Sequence, residues 1–221
     1  MRQLRAWWPD VVLLAAFVAL TVALANGHLL SLDLRVAGWV DEHRPKPLYW
    51  ALRVFNYLGQ GGQVLMPVTL LLTALLFWRW RSWRAVIPFA VVFVLTYITI
   101  GPLKIWLDRA APAFKGPDRE VLFNPAASGN LALSYPSGHV ANTLAWYFVI
   151  ALLLRELTGR DWTALRVAPP VIVIITTTYL AYHWITDSVA GLLLGLVLAR
   201  LLARLPWQAL LRSRTPLASP A

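Results

Sequence analysis

Apolar residues in this chain fall into six long blocks separated by short polar stretches, at about residues 9–27, 63–80, 85–107, 139–157, 167–186 and 188–205. Each block approaches the roughly 20 residues that a helix needs to cross about 30 Å of hydrocarbon. The pattern therefore predicts an all-α, polytopic membrane protein with six transmembrane helices, forming a single domain over residues 1–221. The stretch between the first two blocks reads differently. Leu34, Ala37, Val40, Leu48, Leu52 and Phe55 recur there at helical spacing among polar residues, which predicts one or two short amphipathic helices lying along the membrane surface. Gly59, Gly61 and Gly62 then turn the chain into the second span. The first block, behind Arg2 and Arg5 and ending near Ala23-Leu24-Ala25, has some features of a signal peptide. Its length and the five blocks behind it make it the first span, and residues 206–221 read as a polar cytoplasmic tail.

Composition agrees with this class. The chain is 59% hydrophobic and 14% charged, with a mean hydropathy of +0.61, too apolar for an ordinary soluble domain. It has no cysteine, which excludes disulfides and thiol chemistry. The net charge of +10 would suit a nucleic-acid binder, but the arginines are scattered among short loops and form no stripe, so a nucleic-acid partner is not expected. Their distribution is a topology signal instead, because Lys and Arg accumulate in short cytoplasmic loops. With both termini inside, the inner segments carry Arg2, Arg5, Arg79, Arg81, Arg84, Arg155, Arg160, Arg166, Arg200, Arg204, Arg212 and Arg214 against Glu156 and Asp161. The outer segments, 28–62 and 108–136, are nearly balanced. Trp7, Trp8, Trp78, Trp80, Trp83, Trp106, Trp162, Trp184 and Trp207 fall near predicted helix ends, where an indole anchors a helix at the headgroup layer.

This topology brings three polar clusters to one membrane face. Lys104 closes the third predicted helix, where an ammonium group in apolar surroundings points to function more than to snorkelling. Ser137-Gly138-His139 opens the fourth: Ser137 is a favoured N-cap, and free backbone N–H groups at such an end bind anions. The alternative there is an ordinary capped helix with an interfacial histidine. His183 and Asp187, four residues apart at the close of the fifth helix, share one helical face, so the carboxylate can orient the imidazole as a nucleophile or base. The alternative is an interfacial histidine beside an Asp that caps the sixth helix. Two of the chain's four histidines lie in these clusters, which favours the functional reading of all three together.

Over residues 60–200 these positions resemble the type 2 phosphatidic acid phosphatase superfamily, which also contains acid phosphatases and vanadium haloperoxidases. Lys104, Arg109, Pro112, Pro136, Ser137, Gly138, His139, His183 and Asp187 match its motifs in order and spacing. The resemblance implies a metal-independent, cofactor-free phosphatase. His183 would attack phosphorus and form a phosphohistidine, Asp187 would hold its ring, and His139 would protonate the leaving oxygen. Lys104, Arg109, Ser137 and Gly138 would cradle the phosphoryl oxygens. Two family arginines are absent: Ala111 and Thr177 stand where guanidiniums are usual. Arg109 and Arg119, with Lys115 and the hydroxyls of Thr176, Thr177 and Tyr179, are the groups available to compensate.

The expected function is hydrolysis of a lipid phosphate, such as phosphatidic acid, phosphatidylglycerol phosphate or a polyprenyl phosphate or diphosphate, entering laterally from the bilayer. A phosphotransferase and a non-catalytic headgroup binder are the alternatives; a haloperoxidase would need the missing cations, and zinc would need more ligands than the two histidines and one Asp. The chain is expected in a bacterial inner membrane, multi-pass, with cytoplasmic termini and an outward-facing site. A homodimer is compatible with it.

Overall fold

The computed structural model describes residues 6–211. Among the described residues the nine α-helices are α1 (Trp8–Ala25), α2 (Leu30–Glu42), α3 (Lys46–Asn56), α4 (Met66–Trp80), α5 (Ile87–Leu107), α6 (Gly138–Thr158), α7 (Ala168–Tyr179), α8 (Ile185–Arg204) and α9 (Trp207–Leu211). No strand occurs among the described residues; the nearest approach is an isolated bridge between Arg109 and Leu122.

Five stretches are long and apolar enough to cross a membrane: Trp8–Ala25, Gly61–Trp80, Trp83–Leu107, Gly138–Thr158 and Ile185–Arg204. The fifth predicted span is shorter than expected. Thr163–Tyr179 is apolar and helical, but the helix stops at Tyr179 rather than running to residue 186. The chain turns there because Ala181 takes a left-handed φ of +59° and the amides of Tyr182 and His183 both donate back to the Thr177 carbonyl. The last span accordingly starts at Ile185, three residues before its predicted start at 188.

Helix α6 is the axle of the bundle. It packs against α4, α5, α7 and α8, and its side chains from Val140 to Leu153 are almost continuously buried, the state expected of a helix that is apolar on every side. Its contact with α8 is close because Gly191 and Gly195 face it. A Cβ on Gly191 would stand 2.5 Å from the Ser137 carbonyl oxygen, and one on Gly195 would stand 3.0 Å from the Ala141 Cα. Small residues permit such approach between helices in lipid, where van der Waals packing replaces the hydrophobic drive.

The amphipathic segment is present as two helices, α2 and α3, followed by a 3-10 turn (Tyr57–Gly59) and a π-helical turn (Gly61–Leu65) that leads into α4. The face it turns to the protein is only partly the apolar stripe read from the sequence, of which Leu34, Leu48 and Phe55 are exposed. Asp33, Val36, Ala37 and Val40 face the protein, whereas Leu34 is exposed. A carboxylate therefore occupies a position that helical spacing reserves for apolar residues, and α2 packs on α7 and α8.

Trp7, Trp8, Trp78, Trp83 and Trp106 are exposed, as surface anchors should be. Trp184 and Trp207 are not anchors: both are buried, with their indole N–H groups donating to the carbonyls of Ala110 and Leu202. Trp207 belongs to α9, whose Trp207 and Leu211 pack inward, so this part of the predicted polar tail is apolar structure. Residues 212–221, with Arg212 and Arg214, lie outside the described residues, as do Arg2 and Arg5.

At the end of the bundle remote from the histidines, Asp10 of α1 accepts from Arg200 Nε at 3.0 Å and pairs with Arg204, whose guanidinium stacks 4.0 Å over Trp7. This ties the first span to the last. Asp10→Ala should lower the unfolding stability in detergent by about 2 kcal/mol, because it removes the carboxylate that two partly buried arginines share. Activity per folded molecule should not change, since thirteen residues of α8, about 20 Å, separate Asp187 from Arg200. Thermal unfolding combined with turnover measures both.

Candidate active site

The site lies where α5, α6 and α8 meet at one end of the bundle, roofed by loop 108–137. Ser137 caps α6, its Oγ accepting from the Val140 amide at 3.4 Å, after a cis Tyr135–Pro136 bond. The Ser137 amide donates to the Asp187 carbonyl at 3.0 Å, which locks the start of α6 to the first turn of α8. Gly138 leaves room for Lys104: a Cβ there would lie 2.9 Å from Lys104 Cε, so the end of the lysine side chain would have to shift. Without it the lysine stem runs past the helix end, and its Nζ donates to the Leu133 carbonyl.

The two histidines face each other, with His139 Nδ1 3.2 Å from His183 Nε2. The other ring nitrogen of His183, Nδ1, faces Asp187 Oδ2 at 3.6 Å, longer than a hydrogen bond. This proximity does not come from two residues on one helical face, as the sequence suggested. His183 lies in the turn, Asp187 is the third residue of α8, and its Oδ2 folds back to accept from the Trp184 amide at 3.0 Å. His183 is 5% exposed, and burial pushes its imidazole below the ordinary value, with Asp187 opposing. Burial favours the neutral ring, whose Nε2 is turned towards His139.

Arg109 is placed differently from a phosphate-cradling residue. It is fully buried behind Asp187, and four of the five N–H donors of a guanidinium are committed: Nε to the Glu120 carbonyl at 2.8 Å, Nη1 to Asp187 Oδ1 at 2.6 Å and to Thr186 Oγ1 at 2.9 Å, and Nη2 to Asp33 Oδ2 at 2.7 Å. Nor are the expected compensating groups free. Arg119 donates to the carbonyls of Pro112 and Phe114 and stacks 5.7 Å over Trp184. Thr177 Oγ1 donates to the Val173 carbonyl at 2.7 Å, and Thr176 Oγ1 to the Val173 carbonyl and Asn56. Both satisfy their own helix, the usual fate of a mid-helix threonine. Ala111 is buried and supplies no side-chain donor. Lys104 is the cation that acts on both paired histidines, and Ser137, Gly138 and the open end of α6 lie beside it.

Sequence reasoning overlooked Asp33. It is buried, its Oδ1 accepts from the Thr186 amide at 3.2 Å, and its Oδ2 accepts from the Thr186 hydroxyl at 2.6 Å. The signal was present as a carboxylate in the inward stripe of α2. Among the described residues no group of three His, Cys, Asp or Glu is arranged to hold a metal.

Residues 85–210, more than half of the chain, match the PAP2 superfamily, and the chain belongs to that superfamily. It is 26% identical over 197 residues to phosphatidylglycerophosphatase B of Bacillus subtilis (strain 168), spanning 86% of this chain and 91% of that protein. The crystal structure of the transmembrane PAP2-type phosphatidylglycerolphosphate phosphatase from Bacillus subtilis superposes with a TM-score of 0.70 at 25% identity, over 89% of this chain and 94% of that one. Aquifex aeolicus LpxE shares the fold, with a TM-score of 0.56 at 20% identity over 79% of this chain and 96% of its own.

The Gly191 contact leads directly to the site. Gly191→Ala would force its methyl group against the Ser137 backbone, where no side-chain rotation can relieve the clash. It should displace the α6 cap and lower turnover by about 10²-fold while the protein still purifies as a monodisperse species. Phosphate-release rates of wild type and variant, each normalised to folded protein, check this.

Proposed function

We propose that this membrane PAP2 phosphatase hydrolyses the terminal phosphomonoester of a phospholipid, with phosphatidylglycerophosphate as the leading substrate, through a phosphohistidine formed on His183. The observation that carries the reading is the facing pair of imidazoles, His139 Nδ1 and His183 Nε2 at 3.2 Å, with Asp187 behind the second ring. One nitrogen is placed to attack and the other to handle a proton. The substrate is proposed from the similarity to the Bacillus subtilis enzyme, which spans nearly all of both chains.

In the first step His183 Nε2 displaces the alcohol from phosphorus. The N–P bond forms, the P–O ester bond breaks, and His139 delivers its proton to the departing glycerol oxygen. As positive charge grows on the His183 ring, the Nδ1–H to Asp187 contact tightens from 3.6 Å into a charge-assisted hydrogen bond. In the second step water, deprotonated by His139, attacks phosphorus: the new P–O bond forms, the N–P bond breaks, His183 leaves as the free imidazole and inorganic phosphate is released. Lys104 and the first-turn amides of α6 balance the charge of the equatorial oxygens, the main demand of phosphoryl transfer. A cation at Lys104 suits an anionic phosphoryl group and opposes a metal ion beside the histidines, which supports a metal-independent route. The excess of arginines in the loops remote from the site supports an outward-facing site at headgroup level in a bacterial inner membrane.

Purified wild-type protein should release phosphate from phosphatidylglycerophosphate in the presence of EDTA, faster than from phosphatidic acid or a polyprenyl diphosphate. His183→Ala should lower the rate at least about 10³-fold. Loss of activity on chelation, or full activity in His183→Ala, would sink the mechanism; a preference for either comparison lipid would reassign the substrate. Because burial holds the His183 imidazole low, the acidic limb of kcat/KM, which reports the free enzyme, should lie below the ordinary histidine value of 6.5.

A further inference from the structure

Helix α8 begins without a capping side chain of its own. Its N-cap residue is Trp184, an indole with a donor and no acceptor, so the first-turn amides must find oxygen elsewhere. Asp187 takes the Trp184 amide from within the helix. The Thr186 amide is taken by Asp33, which reaches in from α2, a helix 153 residues earlier in the chain. The same carboxylate accepts from the Thr186 hydroxyl and from Arg109 Nη2, so three donors converge on it at zero side-chain exposure.

The charges form a chain. Asp33 and Asp187 lie on either side of the Arg109 guanidinium, at 2.7 and 2.6 Å, and Asp187 in turn faces His183. Burial raises the Asp33 carboxyl, and Arg109 and Thr186 oppose that rise by favouring the carboxylate; with Asp33 ionised, the three groups sum to one negative charge. Without it Arg109 would neutralise Asp187 outright, and a carboxylate held wholly by a guanidinium is a poor partner for a developing imidazolium. Asp33 also borders the small cavity that reaches His183, beside Val36, Ala37 and Thr178. It is too far into the stack to touch a phosphoryl group, since Arg109 and Asp187 intervene.

We infer that Asp33, on the outer amphipathic helix, is a positioning residue for the nucleophile: it caps α8 from outside and offsets the Arg109 charge, leaving Asp187 free to support His183. The inference rests on the histidine phosphatase reading proposed above. Its consequence is that a membrane-surface helix, which supplies none of the reacting atoms, sets the reactivity of the site.

Charge is the property that separates this role from mere bracing. The groups facing His183 are Asp187 from α8, Lys104 from α5 and His139 from α6, with Arg109 of the loop and Asp33 of α2 behind Asp187. Asp33→Asn keeps the shape and removes a negative charge, so it should move the acidic limb of kcat/KM to lower pH. Arg109→Gln removes a positive charge and should move it to higher pH. The double variant restores the net charge of the stack and should return the limb towards wild type. For Asp33→Asn, kcat should fall between about tenfold and a hundredfold with KM within about twofold, because no substrate contact is lost.

The profiles are measured on detergent-purified, monodisperse protein with phosphatidylglycerophosphate as probe, alongside unfolding temperatures. A wild type that releases no phosphate would overturn the phosphatase reading and this inference with it, before any variant is made. If wild type turns over and the limbs of Asp33→Asn and Arg109→Gln stay in place, or move in the same direction, the positioning role is overturned and the reading survives. Failure of both variants to fold would likewise overturn it, since Asp33 would then be a structural tie alone.

Discussion

Arg109 is the group on which this end of the molecule depends. A guanidinium with no exposure is tolerable in an apolar protein only if its charge is met and its donors are used. Two carboxylates, a hydroxyl and a carbonyl meet those needs, and they come from α2, the first turn of α8 and the loop after α5. One buried cation therefore obliges three distant segments to converge. Its planar fork makes the convergence directional, and the Asp187 carboxylate behind His183 is held as a result.

Around this knot the bundle uses ordinary means. The fully apolar α6 supplies the axle, and Gly191 and Gly195 let α8 approach it closely enough for the Ser137 amide to reach the Asp187 carbonyl. The start of α6, with its first-turn amides, and the start of α8, with His183 just before it, are then two halves of one junction. Lys104 passes over Gly138 at the same junction. The proposed chemistry needs its groups fixed in advance rather than gathered by the substrate, and this packing does so.

Much of this was legible in the sequence. Block lengths disclosed five of the six spans, and spacing singled out Lys104, Ser137, Gly138, His139, His183 and Asp187, which the fold gathers at one end of the bundle, because titratable and small polar types stand out against apolar surroundings. What was not legible depends on contacts between distant segments. Arg109 matches a phosphate-binding position along the chain, yet the nearest anions in space are Asp33 and Asp187, and those claim it. Asp33 was passed over because its neighbour Leu34 makes an equally regular stripe, and only the packing of α2 on α7 and α8 distinguishes the two. Trp184 sat at a helix end, where indoles serve as anchors, but the left-handed turn at Ala181 folds it inward. The missing guanidiniums at Ala111 and Thr177 were visible; that the nearby hydroxyls are consumed by their own helix was not, since local back-bonding depends on helix geometry at those residues.

The external cap on α8 also bears on how the protein is made. A ribosome delivers Asp33 to the membrane surface some 150 residues before the amide it will serve at Thr186. During that interval the inward carboxylate lacks first Arg109 and then Thr186, as Arg109, His139 and finally His183 emerge in turn. No truncated chain that ends before the last span contains a finished site, so assembly of the nucleophile coincides with completion of the whole bundle. A half-inserted product therefore lacks the stack of Asp33, Arg109 and Asp187 that stands behind His183.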